Sequence, residues 1–348
     1  MKTLRKTCSR QSMRPVVYVA LFAATIAAAV FCVCAGSVDI TPKDTFLAIW
    51  NAVFGKATVN DNVRAIILFV RLPRVLAVGL VGAALSLCGA AMQGLLRNPL
   101  ADGSTLGVSS GASLGAVLAI ALGITLPGFP LGGTMVLAMM FAFLSLCLIL
   151  FLSFRIDRSL STNTIILIGV VFSMFASSAI SLIIASVGEK AKTITFWTMG
   201  SLAGSNYADV LTLLAALILC GAVLMRRAAE LNALALGEEN ARNIGVDVRR
   251  VKLTVMIAVS VLIGVCVSAG GTIAFVGLVV PHMTRALTGP NHKVSLPVTM
   301  FFGAMFLMLC DLVSRIIVSP RQLPVGVVTS FIGAILFVYI FGKSRRAK

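Results

Sequence analysis

Charge is scarce in this chain of 348 residues: Asp, Glu, Lys and Arg together make up 12% of it. Soluble domains carry roughly 25%. With 59% of the residues hydrophobic, a soluble fold of this length has too little polar surface to cover its apolar content. Cysteine is sparse too, at 8. Cys32, Cys34, Cys88, Cys147, Cys220, Cys266 and Cys310 lie inside apolar runs, and no pair forms C-x-x-C, which excludes a disulfide scaffold and a cysteine metal or redox site. The 30 glycines follow no collagen repeat. The apolar runs are continuous rather than alternating, which argues against an outer-membrane barrel.

An internal energy source is also missing. Gly342-Lys343-Ser344 imitates the end of a P-loop, but Phe337 stands where that motif needs its first Gly. Ion-coupled transport would leave ionisable groups at mid-membrane. The candidates are Asp209, Asp311 and His282. Asp209 opens a helix, Asp311 can pair locally with Arg315 four residues on, and His282 follows Pro281 near a helix end. None makes a proton relay, so the energy is expected from another subunit. Gly111-Ala-Ser113-Leu-Gly115 matches G-x-S-x-G, with His282 as a conceivable base for intramembrane proteolysis. The strand–turn–helix context of that motif is lacking. Gly107, Gly111 and Gly115 instead recur at spacing four, a face for close helix packing.

What is present is a series of long charge-free runs, each near the roughly 20 residues that cross a bilayer. They predict an all-α polytopic membrane protein with ten transmembrane spans. The spans fall near 15–36, 67–96, 105–124, 133–154, 160–187, 206–226, 251–269, 272–287, 294–317 and 325–342. Pro127, Gly128, Pro130, Gly132 and Gly133 mark the turn between the third and fourth. Segment 191–204 is too short to span and reads as a re-entrant or surface helix, whose backbone must then be buried in protein. The basic tail 1–14 precedes a first helix read as retained rather than as a cleaved signal. With the N-terminus in the cytoplasm, the inner segments hold 20 of the 29 Lys and Arg residues while the acids divide evenly. The net charge of +17 is therefore a topology signal, not a nucleic-acid footprint.

Four stretches carry more specific information. Arg71-Leu-Pro-Arg74 opens the second span, and Arg97-Asn-Pro-Leu-Ala-Asp102 follows that span as a tight turn. Along the same span, Gly82, Ser86, Ala90 and Gly94 form another small-residue face. Residues 231–245 (LNALALGEENARNIG) fill the larger inner loop as two short helices about Gly237, with Glu238 and Glu239 opening the second. Such an element suits a partner's groove. Gly270-Gly-Thr-Ile-Ala-Phe-Val-Gly277 runs on to Pro281-His282-Met-Thr-Arg285. Asp311-Leu-Val-Ser-Arg315 is followed by Leu323-Pro-Val-Gly326-Val-Val-Thr329.

In this order and spacing the four stretches resemble the iron-chelate and cobalamin permease family of bacterial ABC importers, the FecCD type, from about residue 60 to the C-terminus. The resemblance implies ten helices per subunit and two permease subunits, identical or closely related, around one pathway. It also implies two cytoplasmic ATPases and an extracytoplasmic binding protein that delivers cargo. ATP and Mg belong to the ATPases, and no cofactor is expected in this chain. By the same resemblance Arg71, Arg74 and Arg315 face outward to dock the binding protein. Leu234, Ala235, Leu236, Gly237, Glu238, Ala241 and Gly245 couple to the ATPase. Ser161, Thr162 and Asn163 form a cytoplasmic gate; the cobalamin permease has Ser where this chain has Asn163. Ser173, Ser177 and Ser181 give the fifth span a hydroxyl stripe toward the channel, which packing alone would also explain. The expected cargo is an iron chelate, a ferric siderophore first, with haem or cobalamin next. An ion-coupled secondary transporter is the alternative of a different class. The expected location is the bacterial inner membrane, multi-pass, with both termini cytoplasmic.

Overall fold

Five helices begin where a side chain accepts from the unpaired N–H groups of the first turn. Asn60, Ser161, Asn206, Asp247 and Asn291 all do so, and Asn206 with Asp209 closes a reciprocal capping box. The computed structural model describes residues 15–36, 40–54, 60–103, 106–124, 132–158, 161–319 and 321–346. Its helices are α1 (Pro15–Cys34), α2 (Pro42–Phe54), α3 (Asp61–Ala65), a π-helical segment (Ile66–Arg71), α4 (Leu72–Leu95), α5 (Val108–Leu122), α6 (Gly132–Ile156) and α7 (Thr162–Ser186). They continue with α8 (Lys190–Thr198), α9 (Tyr207–Arg226), α10 (Ala228–Ala235), α11 (Glu238–Asn243), α12 (Val248–Gly270), α13 (Val276–Thr288), α14 (His292–Ile316) and α15 (Val325–Arg346). No strand occurs among the described residues. The basic tail 1–14 and the turn residues Pro127, Gly128 and Pro130 lie outside them.

Among the described residues, seven helical stretches are long and apolar enough to cross a membrane: α1, the continuous Asp61–Leu95, α6, α7, α9, α12 and α14. The other three expected spans are shorter. α5 has 15 residues, α13 has 13, and the apolar part of α15 is Val325–Ile340. At 1.5 Å per residue, α13 reaches about 20 Å, short of the roughly 30 Å hydrocarbon layer. Its span was expected to begin at 272, but the chain is not helical until Val276. Gly271 and Phe275 adopt φ of +71° and +68°, and Thr272 donates its hydroxyl to the Thr198 carbonyl. Segment 37–66, the connection left between the first two expected spans, holds α2 and α3. The charges at Lys43, Asp44, Asp61 and Arg64 keep it from reading as a span. α2 is amphipathic, with Thr45 and Ala48 buried and exposed Phe46 stacked on Trp50.

α4 is the axis of the molecule. It packs against α1, α9, α10, α12, α13 and α14, and 19 of its 24 residues are buried. That is why its sequence is apolar all round. Gly82 and Ser86 let α14 close on it: a Cβ on Gly82 would overlap the Gly303 carbonyl, and one on Gly303 would overlap the Ser86 hydroxyl. Gly94 lies under the His292 ring. Gly111 and Gly115 bring α5 onto Ser145 and Leu137 of α6, and Gly107 meets Ile149 and Phe172. Where lipid supplies no hydrophobic push between helices, such small faces allow the backbone approach that holds them. α8 is too short to span, and the chain after it is tied into protein. The Ser201 N–H donates to Gly270 O (2.7 Å), and the Gly326 N–H donates to Gly200 O (3.2 Å). These bonds satisfy backbone groups of the kind a re-entrant segment would have to bury.

Candidate functional site

The late starts of α5 and α13 leave non-helical chain beside the middle of α4. A cavity of about 420 Å³ opens there. Leu85 and Cys88 of α4, Asp102 before α5, and Thr272, Ile273 and Ala274 before α13 form part of its wall. Ser109, Ser110 and Ser113 of α5, Ser177 and Ser181 of α7, and Thr198 at the end of α8 supply six more hydroxyls. Ser113 donates to Ser109 O (2.9 Å) and Ser181 to Ser177 O (3.0 Å). With those protons engaged on their own helices, the two hydroxyls offer lone pairs to the cavity and grip weakly. Ser173, the first residue of the expected stripe, does not line it. Sequence reasoning missed Asp102, Ser109, Ser110, Thr198 and Thr272. Ser109 and Ser113 share the i, i+4 spacing that singled out the α7 stripe, but the Gly pattern on the same helix drew the packing interpretation instead.

α7 also reaches the opposite feature. Ser161 caps it, sharing a 2.9 Å hydroxyl contact with Thr164, and Asn163 is exposed. Thr162 lies against the 231–245 element, donating to Glu238 Oε1 at 3.4 Å. In that element Leu231, Leu234 and Ala241 are fully buried. Ala235, Leu236, Ile244 and Gly245 are exposed. Gly237 turns the chain at φ +118°. Gly245, at φ +86°, ends α11 in a Schellman motif, with Gly245 N–H to Arg242 O (2.9 Å) and Val246 N–H to Ala241 O (3.0 Å). α10 is moored to α14: Asn232 Nδ2 donates to Asn291 Oδ1, and Asn232 Oδ1 accepts the His292 N–H, both at 2.8 Å.

Arg71, Arg74 and Arg315 gather at the other end of α4 and α14, where their side chains are buried in the chain's own contacts. They are 6%, 4% and 3% exposed. Arg71 donates to Val33 O and Cys34 O (3.0 Å each), and Arg315 to Cys32 O (2.9 Å) and Ala35 O (3.1 Å). Those carbonyls end α1, where no further helical turn can satisfy them and the helix dipole favours cations. Arg74 donates to Asp311 (2.7 Å) and to Gln322, and Arg315 Nε lies 3.0 Å from the second Asp311 oxygen. The proton-relay candidates are thus largely engaged in structure: Asp209 caps α9 and Asp311 holds two arginines. Ser113 is bonded to its own helix, and no imidazole is among the residues that line its cavity.

The FecCD transport family model matches residues 24–343. An uncharacterized ABC transporter permease, YvrB of Bacillus subtilis, is 43% identical over 316 residues, 89% of each chain. The cobalamin import permease BtuC of Halobacterium salinarum is 38% identical over 282 residues, 81% of this chain and 74% of that one. The molybdate import permease MolB of Haemophilus influenzae is 37% identical over 299 residues, 84% of this chain and 87% of that one. A solved ABC transporter of metal-chelate type, in an inward-facing conformation, matches with a TM-score of 0.83 at 32% identity, over 95% of this chain and 100% of that one. The chain belongs to the FecCD transport family and is an ABC importer permease.

Proposed function

We propose that this permease carries a metal chelate into the cytoplasm, a ferric siderophore first, with haem and cobalamin as the next candidates. Two copies, or one copy and a close relative, face each other across the pathway. Two cytoplasmic ATPases hold ATP and Mg, and an extracytoplasmic binding protein delivers the cargo. Both termini lie in the cytoplasm of a bacterial cell, on the side that carries 20 of the 29 basic residues. The 231–245 element then faces the ATPases. Arg71, Arg74 and Arg315 hold the shape of the rim on which the binding protein docks, so their part in docking is indirect.

The observation that carries this reading is that one helix, α7, joins the hydroxyl-lined cavity to the 231–245 element. Ligand sites for drug-sized molecules measure about 300–1,000 Å³. At about 420 Å³ one cavity is small for a chelate, and two related by a two-fold axis make a larger passage. Its wall is hydroxyl and apolar with one carboxylate, which lets a polar chelate pass without a tight hold. Selectivity then rests with the binding protein.

The test is uptake of labelled ferric siderophore, haem, cobalamin and molybdate into liposomes holding the complete transporter, with active and with catalytically dead ATPases. ATP-dependent uptake of a metal chelate is the expected result. Uptake that survives a dead ATPase supports an ion-coupled carrier, and ATP-dependent uptake of molybdate alone overturns the chelate assignment.

A further inference from the structure

We propose that Glu238 and Lys252 form an inward strut that fixes the 231–245 element to the gate end of α7, with Thr162 as the point of contact. The inference rests on the importer reading above and gives Glu238 a role other than touching the ATPase.

One carboxylate oxygen serves both partners. Glu238 Oε1 lies 2.7 Å from Lys252 Nζ and 3.4 Å from Thr162 Oγ1. The Lys252 side chain is 2% exposed, so its ammonium is anchored inside the protein just within the start of α12, and the Glu238 side chain is 22% exposed. The outward face of the same element is made by other residues: Leu236 and Ile244 are 72% and 68% exposed, and Arg242 is exposed as well. The element therefore has two sides. Leu236 and Ile244 face outward, and Glu238 is turned back to the permease, its second oxygen 4.0 Å from Arg242 Nη2.

Burying a lysine is a poor way to add stability, since an apolar side chain of similar volume commonly packs as well or better. What the pair supplies is position: it sets α11 against α12 and the first residue of α7 together. From Thr162 to Ser177, which lines the cavity, α7 runs 15 residues, about 22 Å of continuous helix. A displacement of the element by the ATPase reaches the cavity through this contact only if Glu238 and Thr162 move as one body. Glu238 and Lys252 are thus positioning residues for coupling.

The test uses the complete transporter in liposomes, with spin labels at Asn163→Cys and Glu239→Cys, both exposed positions. The distance between the two labels within one subunit is measured without nucleotide and with trapped ATP. The expected result is one narrow distance, the same in both states. Lys252→Met broadens it and lowers uptake per ATP hydrolysed by about ten-fold, while ATP hydrolysis continues, and Lys252→Arg restores both. A label distance that changes between the two states in the otherwise unaltered transporter overturns the strut. So does a Lys252→Met protein with an unchanged distance and unchanged uptake per ATP. The distance is read without cargo, so a failure of the strut and a failure of the importer reading register in different measurements.

Discussion

Asp311 is a buried carboxylate that faces two buried arginines. It is 1% exposed and lies between Arg74 and Arg315. Asp311→Asn leaves two buried guanidinium groups without their counter-charge, a change worth about 3–5 kcal/mol. A marked fall in the thermal unfolding midpoint of the purified permease in detergent is expected; an unchanged midpoint contradicts the buried-pair reading. Gly237 is sensitive for a different reason. At φ +118° a Cβ is strained, although the nearest atom it would meet is 3.5 Å away. Gly237→Ala is expected to leave the folded yield nearly intact and to reduce ATP-driven uptake, measured side by side in liposomes. The sequence marked both residues, but only in part. Asp311 was legible as a partner for Arg315 because they are four apart. Its bond to Arg74 spans 237 positions, and no spacing rule announces it. For the same reason the three arginines were legible as a group while their burial was not: Arg71 and Arg315 donate to carbonyls at the end of α1, and Arg74 to Asp311 and Gln322.

At the scale of the element, spans with a continuous apolar run and a capping side chain were easiest to read. α7 begins at Thr162 behind Ser161, and α9 at Tyr207 behind Asn206. α13 was harder, because Thr272–Phe275 is nearly as apolar as the helix after it, and only backbone geometry shows that helix starting late. α2 was missed because a short amphipathic helix flanked by charge resembles a loop in composition. The small-residue faces were visible as i, i+4 patterns, but which helix each one meets is a tertiary fact. Gly82 against Gly303 tests that packing. Gly82→Val should separate α4 from α14 and lower the monodisperse fraction on size-exclusion chromatography. Gly204→Val, with nothing within 4 Å of its Cβ position, should behave as the unaltered protein. Equal behaviour of the two variants contradicts the close-packed seam. The α10 mooring makes a softer prediction: Asn232→Ala removes the bonds to Asn291 and His292 and should speed proteolysis within 236–245.

For the whole molecule, the buried α4 axis fixes a frame on which two elements at different depths are joined by α7. One is the hydroxyl-lined cavity; the other is the 231–245 element with its exposed Leu236 and Ile244. Family membership was legible in four short stretches because each combines Gly, Pro and charged residues at a spacing that few apolar sequences share. The cavity was legible only along α7. Its remaining walls come from α4, α5, α8, α12, the start of α13 and the chain before α5 and α13, which converge only on folding. By the proposed function, this cavity belongs to the transport pathway and ATP controls access to it. The most direct test of that reading is labelling of Ser177→Cys and Ser181→Cys by a membrane-impermeant maleimide, in the complete transporter in liposomes, applied from either side with and without trapped ATP. The side from which each cysteine reacts should switch with nucleotide state. Reaction that is indifferent to nucleotide, or no reaction from either side in both states, contradicts it.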